Sequence, residues 1–269
     1  LATVLVQSSS VSTSVIVGLV ASGVVSTSDA VPMIMGANLG TTVTNTLASL
    51  GHVRRDAEFR RAFAAATVHD FFNIMAVVVF LPLELATGYL SSSAAWITER
   101  VVGSGGSDFK SPLKAAVKMP ANWVKDLLAS LGAHGDLKGG LMIAVGLVFI
   151  FVALAFITKN MRLLVADRVE AAINKALGAG SGVVAMALGL IITVAVQSSS
   201  ITTAVMVPLA ASGVLTLGNI YPVTLGANVG TTVTALLAAL ATGSPAAVTV
   251  AVVHTLFNIS GILVFYPLP

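Results

Sequence analysis

The 269 residues are 56% hydrophobic and only 9% charged, with a net charge of +3 and no cysteine. Soluble domains carry about 25% charged residues, so this composition excludes an ordinary water-soluble fold and makes the bilayer the natural solvent. The missing cysteines exclude disulfides, thiol catalysis and thiolate metal sites. Few aromatics and no basic stripe exclude a nucleic-acid surface, and the small basic excess reads as the Lys and Arg of short cytoplasmic loops.

Leu1 already lies inside an apolar segment, so the sequence is expected to be a piece of a longer protein. Residues 1–28 are apolar but interrupted by Gln7-Ser8-Ser9-Ser10 and by Gly23, a pattern that suits two half-membrane helices joined at a tip. Residues 30–50 carry Pro32 and a Gly36-Ala37-Asn38-Leu39-Gly40 break near their middle, which predicts one discontinuous crossing. Residues 62–88 are long enough to span, with Glu84 and Gly88 at the end. Residues 89–138 open on a Gly/Ser-rich stretch (Gly103 to Ser107) and predict an external loop or small cap, with a short amphipathic helix over 120–131. Residues 139–158 form an apolar connecting crossing, and 159–178 a basic segment. No Asp, Glu, Lys or Arg follows Lys175, so residues 179–269 must hold several intramembrane segments.

The last stretch repeats the first. Residues 5–50 and 195–240 align without a gap at an offset of 190, with about 25 of 46 positions identical. The match resumes where Val68-His69-Asp70-Phe71-Phe72-Asn73 meets Val253-His254-Thr255-Leu256-Phe257-Asn258. The expected fold is therefore an all-α integral membrane protein with two repeats, 1–88 and 179–269, each holding a re-entrant hairpin, a broken transmembrane helix and a spanning helix.

Counting crossings gives the orientation. A hairpin returns to its own side, the broken helix and the third helix cross and recross, and the 139–158 crossing starts the second repeat on the opposite side. The repeats are then inverted, as in many secondary transporters. Arg54, Arg55, Arg60 and Arg61 fall on the same side as Lys159, Arg162, Arg168 and Lys175, which makes that side cytoplasmic. The equivalent loop of the second repeat, Ala241 to Pro245, is uncharged, as inversion predicts.

Polar groups at membrane depth mark function. Gln7 to Ser10 and Gln197 to Ser200 are the matched clusters of the two repeats. On a continuous helix three successive serines point apart. At a hairpin tip their hydroxyls and free backbone N–H groups converge on one point. The second matched pair is Gly36-Ala37-Asn38-Leu39-Gly40-Thr41-Thr42 and Gly226-Ala227-Asn228-Val229-Gly230-Thr231-Thr232. An unwound segment there exposes carbonyls for a hard cation and N–H groups for an anion. The second repeat holds no cationic side chain, so bound Na+ must supply much of the countercharge for an anion. Hydroxyl and N–H donors by themselves leave phosphate, sulfate and carboxylates open. His69 and His254 read as satisfied buried histidines, Asp70 as a cation or proton site or a boundary residue, and Arg60 and Arg61 as topology anchors.

These motifs, together with Phe59-Arg60-Arg61-Ala62-Phe63-Ala64 and Ala66 to Asn73, resemble the type II sodium–phosphate cotransporters over residues 5–83 and 195–268. The resemblance implies Na+-coupled phosphate uptake with no covalent chemistry, no cofactor beyond Na+ as coupling ion, and no other metal. The implied phosphate set is Ser8, Ser9, Ser10, Asn38, Thr41, Ser199, Ser200 and Asn228. The implied sodium set is Gln197, Ser198, Thr231 and Thr234, with Gln7, Thr46 and Asn73 in the first repeat. The implied setting is multi-pass in the plasma (inner) membrane. The implied partners are inorganic phosphate, Na+ and the lipid bilayer, without nucleic acid, and a homodimer is left open. Electrogenic animal members carry an acid where this chain has Arg55, and a glutamine where it has His52, which implies electroneutral or differently coupled transport. The rival readings are the same scaffold carrying sulfate or a dicarboxylate, a non-transporting sensor or channel subunit, and an intramembrane serine hydrolase. The hydrolase lacks a nucleophile-elbow motif.

Overall fold

The computed structural model describes residues 2–102, 112–146, 148–149, 152 and 181–267. The described part is helical, with no strand among the described residues. In chain order the helices are α1 (Ala2–Val6), α2 (Ser9–Ala21), α3 (Thr27–Gly40), α4 (Val43–Ser49), α5 (Asp56–Thr87), α6 (Tyr89–Val102), α7 (Pro112–Ser130), α8 (Gly182–Val196), α9 (Ser199–Ala204), α10 (Met206–Ala211), α11 (Leu217–Thr242) and α12 (Pro245–Phe265). Residues 135–146 are also helical. Among the described residues three helices, α5, α11 and α12, are long and apolar enough to cross a membrane.

Helix α5 illustrates how the pattern sets the packing. Phe71, Val78 and Leu85 recur every seven residues, or two turns, and form an exposed apolar stripe. Ala62, Ala66, His69, Asn73, Ala76 and Phe80 recur at three- and four-residue spacing and are buried. The helix ends on Gly88, whose positive φ of 63° suits glycine. That turn carries the chain into α6, and the buried Glu84 carboxylate accepts the Leu90 and Ser91 N–H groups at 2.6 and 3.2 Å. A carboxylate at the start of a helix meets unpaired donors and the positive end of the dipole.

The core joins the first and second halves of the chain. One cluster packs Ile16, Val17 and Ile34 of α2 and α3 against Ala235 and Val250 of α11 and α12. Another packs Met35 and Phe80 of α3 and α5 against Phe257 of α12 and Leu90 of α6. A third packs Ala65 of α5 with α8, α10 and α11. In the first cluster the alanines Ala30, Ala37, Ala235, Ala239, Ala247 and Ala251 let helix backbones approach closely.

Four expectations change. The spanning helix of the first repeat begins at Asp56, not 62, because Asp56 and Glu58 are acidic first-turn residues that favour a helix start. The break in 30–50 narrows to Thr41–Thr42, whose backbone stays right-handed. The second-repeat counterpart, α11, is unbroken over 26 residues, so its Gly226–Thr232 segment is not unwound. The 89–138 segment is more helical than a loop: it holds α6, and α7 starts at Pro112 rather than 120. The glycine-rich stretch 103–107, much of the 139–158 crossing and the basic segment 159–178 lie outside the described residues.

Candidate functional site

Both Gln-Ser-Ser-Ser motifs lie at a two-residue link between helices. In the first, α1 ends at Val6 and α2 begins at Ser9. In the second, α8 ends at Val196 and α9 begins at Ser199. Gln7 and Gln197 occupy the left-handed region, φ 54° and 57°, the only non-glycine residues to do so among those described. Each closes the preceding helix with a 2.7 Å bond, from Gln7 N to Thr3 O and from Gln197 N to Thr193 O. A left-handed glutamine costs about 1–2 kcal/mol where glycine costs little, and of the two it is Gln197 whose side chain makes offsetting bonds.

Ser8 and Ser198 are the N-caps of the following helices, their hydroxyls accepting from Val11 N at 3.3 Å and Ile201 N at 3.4 Å. Ser9, Ser10, Ser199 and Ser200 fill the first turns and are buried. Their backbone N–H groups, and the hydroxyls of Ser9, Ser199 and Ser200, meet no protein partner among the described residues. Ser10 Oγ donates to the Gln197 carbonyl at 3.3 Å, so the two tips touch. Two helix N-termini with buried hydroxyls and free N–H groups form a donor-rich, cation-free place for an anion.

The residues expected to hold sodium divide by repeat. Thr234 Oγ1 donates to Gln197 Oε1 at 2.8 Å, and Gln197 Nε2 donates to Val194 O at 2.6 Å. Thr231 is buried with its hydroxyl on Ala227 O, as Thr41 is on Ala37 O. In the first repeat Gln7 makes no bond to Thr44, and Thr44 Oγ1 is buried without a partner. Thr46 Oγ1 donates to Asp70 Oδ2 at 3.0 Å, while Asp70 Oδ1 is buried and unpartnered. The expected unwinding is absent from α11, and in the first repeat the helix is interrupted only at Thr41–Thr42; in both segments the threonine hydroxyls turn back on their own helix, Thr41 on Ala37, Thr42 on Leu39, Thr231 on Ala227 and Thr232 on Val229.

Asn38, Asn73, Asn228 and Asn258 form a closed ring. Asn38 Nδ2 donates to Asn258 Oδ1 (2.8 Å), Asn258 Nδ2 to Asn228 O (3.4 Å), Asn228 Nδ2 to Asn73 Oδ1 (2.9 Å), and Asn73 Nδ2 to Asn38 O (3.3 Å). All four are buried. The structure thus brings Asn38, Asn73 and Asn228 together, with the Asn73 amide occupied at both ends.

Several participants were not expected. His69 and His254 bond Asn228 Oδ1 and Asn38 Oδ1 at 2.6 and 3.0 Å. Asn45 Nδ2 donates to Thr203 Oγ1 at 2.7 Å, tying α4 to α9. Arg61 is more than an anchor: its Nε and one terminal NH2 donate to the Ala211 carbonyl at the end of α10, at 2.9 and 2.7 Å. The matched His-x-x-x-Asn spacing in both repeats is the signal that could have flagged the histidines. Nothing in the sequence pairs Arg61 with Ala211.

These features define an all-α integral membrane protein whose two matched polar motifs meet in the core. The chain belongs to the Na+/Pi-cotransporter family, whose model matches residues 1–97 and 137–265; the family is one of transporters, not enzymes. The chain is 36% identical over 336 residues to sodium-dependent phosphate transport protein 2A of Rattus norvegicus, covering 100% of this chain and 53% of that protein. It is 34% identical over 355 residues to sodium-dependent phosphate transport protein 2B of Homo sapiens, covering 100% and 51%. The chain spans about half the length of the curated relatives it matches. No solved structure matches it.

Proposed function

We infer that this chain carries the core of a secondary transporter that couples Na+ influx to uptake of inorganic phosphate across the plasma (inner) membrane. The reading rests on the contact between the two Gln-Ser-Ser-Ser tips, where Ser10 Oγ reaches the Gln197 carbonyl. That contact puts the first turns of α2 and α9, with their free N–H groups and serine hydroxyls, around one point. Phosphate is a small anion with several acceptor oxygens and suits such a donor set. The neutral oxygens of Gln197, Ser198, Thr231 and Thr234 are hard donors that suit Na+. With no cationic side chain in the second repeat, sodium beside the tip supplies the countercharge, which makes anion binding depend on sodium. The family and the names of the relatives point the same way.

The two repeats are read as inverted, with the tips as re-entrant hairpins entering from opposite faces and the Arg54–Arg61 side cytoplasmic. Arg55 pairs with Glu58 at 3.0 Å and is largely exposed. This favours electroneutral or differently coupled transport. Sodium- and phosphate-dependent currents from reconstituted protein would sink the electroneutral version.

The deciding experiment is phosphate uptake into proteoliposomes with and without a Na+ gradient, comparing wild type with Ser9→Ala and Ser199→Ala. Both variants are expected to lose most uptake. Normal uptake by both overturns the site, and competition by sulfate or a dicarboxylate as strong as by phosphate overturns the substrate.

A further inference from the structure

His69 and His254 lie outside the sets assigned to phosphate and sodium, yet both are buried and each makes a side-chain bond between the repeats. Each stands four residues, about one turn, before the ring asparagine of its own helix, Asn73 or Asn258. Each bonds the asparagine of the other repeat's Gly-Ala-Asn motif. Asn228 uses its Nδ2 on Asn73, so the atom facing His69 is an oxygen that can only accept. His69 Nε2 must therefore carry the proton. The same logic applies to His254 and Asn38, whose Nδ2 is given to Asn258. The other ring nitrogen of each histidine is buried with no partner, so each imidazole makes a single side-chain bond, and it crosses to the other repeat.

What lies beyond the asparagine connects it to the tip. Two residues after Asn228, Gly230 packs on Thr193 of α8 so tightly that a Cβ would sit 2.7 Å from the Thr193 Cβ. Thr193 O then takes the N–H of Gln197, the left-handed tip residue, at 2.7 Å. The first repeat does the same: a Cβ on Gly40 would sit 2.6 Å from Thr3 Cβ, and Thr3 O takes the N–H of Gln7 at 2.7 Å. The path from His69 thus ends at the tip of the second repeat, and that from His254 at the tip of the first.

We propose that His69 and His254 are positioning residues for the transport reaction, each acting as an Nε2–H donor that fixes the Gly-Ala-Asn helix, and through it the Gln-Ser-Ser-Ser tip, of the opposite repeat. Removing the donor leaves a buried amide oxygen unpaired and frees the asparagine to rotate. The tip then loses its fixed place, and sodium and phosphate meet a site that must be assembled on binding. Because Gln197 and Thr234 are bonded to each other at the second tip, His69 governs sodium affinity more strongly than His254 does.

The inference rests on the transport reading, and one experiment separates the two. Sodium-gradient-driven phosphate uptake is measured in proteoliposomes for wild type, His69→Leu, His69→Gln and His254→Leu, with apparent sodium KM and maximal rate for each. Glutamine keeps a donor near the imidazole Nε2 position; leucine does not. His69→Leu is expected to raise the sodium KM about tenfold, the equivalent of one lost buried hydrogen bond, with a maximal rate near wild type. His254→Leu is expected to raise it less, and His69→Gln is expected to stay within about twofold of wild type. A wild-type sodium KM in His69→Leu overturns the proposal, as does a reduced rate at unchanged KM. If the leucine variants do not fold, His69→Gln decides: a KM near wild type supports the donor role, and a tenfold rise overturns it. Absence of sodium-dependent uptake by wild type overturns the transport reading and this role with it, whereas normal wild-type uptake with unaffected variants overturns this role alone.

Discussion

Asn38 and Asn258 hold the two halves of the chain together: the Asn38 amide donates to the Asn258 side-chain oxygen at 2.8 Å, both groups being buried. The mirror bond runs from Asn228 to Asn73 at 2.9 Å. Because each member of the ring donates to the next, no single replacement is local. Leucine at 258 has the same branched shape but takes away the acceptor of the Asn38 amide and the side-chain donor to the Asn228 carbonyl. Asn258→Leu and Asn73→Leu are each expected to destabilise the protein by about 1–3 kcal/mol, the range for stranding a buried polar group. The Asn38→Leu/Asn258→Leu pair is expected to fall short of the sum of its parts, since the second change removes a group already unpaired. Thermal unfolding in detergent of these three variants and of Asn38→Leu alone measures this. Fully additive losses would mean that the ring does not act as a unit.

Arg61 and its neighbour Arg60 give a contrast of partners. Arg61 places two N–H groups on one carbonyl at the C-terminal end of α10, where the helix dipole is negative. Arg60 pairs with Asp56 four residues away, at 3.0 Å, with both side chains 78% exposed. Exposed pairs of that kind contribute little. Arg61→Gln is therefore expected to lower stability by about 1.5–3 kcal/mol, the range for hydrogen bonds that involve a charged group. Arg60→Gln is expected to change it by less than about 0.5 kcal/mol. Equal effects in thermal melts would argue against the Arg61 bridge.

The glycines of α11 make a third contrast. A Cβ on Gly226 would collide with the Met186 carbonyl of α8, and one on Gly189 with the Val223 carbonyl of α11, both backbone atoms that cannot swing aside. At Gly218, in the first turn of α11, the nearest atom is the Thr216 hydroxyl at 3.8 Å, an ordinary contact. Gly226→Ala and Gly189→Ala are each expected to destabilise by about 1–3 kcal/mol through overpacking. Gly218→Ala is expected to be neutral or stabilising by a few tenths, since it restricts the unfolded chain. Melting temperatures of the three variants check this.

The same glycines explain where sequence reasoning fell short. A Gly-Ala-Asn-x-Gly run at membrane depth looked like a place for the helix to unwind. In α11 those glycines serve close packing against Met186, Leu190 and Thr193 of α8. A glycine has the same letter in either role, and only the neighbour across the contact tells them apart. The start of α5 was misread because Asp56 and Glu58 look like a loop to a hydropathy pattern, while at a helix N-terminus they are favourable. The helix interruptions at Gln7-Ser8 and Gln197-Ser198 were legible because four consecutive polar residues in an apolar run, duplicated, admit few other readings. The cross-repeat partners of His69 and His254 were not, because pairing between repeats depends on how the halves pack.

The tip glutamines carry the last prediction. At the end of a helix a left-handed residue is ordinarily glycine or asparagine, and glutamine there bears a conformational cost of about 1–2 kcal/mol. Gln197 uses its side chain: Oε1 accepts from Thr234 and Nε2 donates to Val194 O. Gln7 makes neither bond, and its side chain is exposed. Gln7→Gly therefore loses little and relieves the backbone, so it is expected to be stabilised by about 1 kcal/mol. Gln197→Gly gains the same relief but loses two hydrogen bonds and leaves Thr234 unpaired, so its stability is expected to move by less than about 1 kcal/mol in either direction. The two variants part in function. Gln197→Gly removes an oxygen assigned to sodium and is expected to raise the apparent sodium KM of uptake about tenfold, and Thr234→Val is expected to do the same. If Gln197→Gly is stabilised as much as Gln7→Gly and keeps its sodium dependence, the Gln197–Thr234 pair has no part in sodium binding, and the left-handed glutamine has some other purpose.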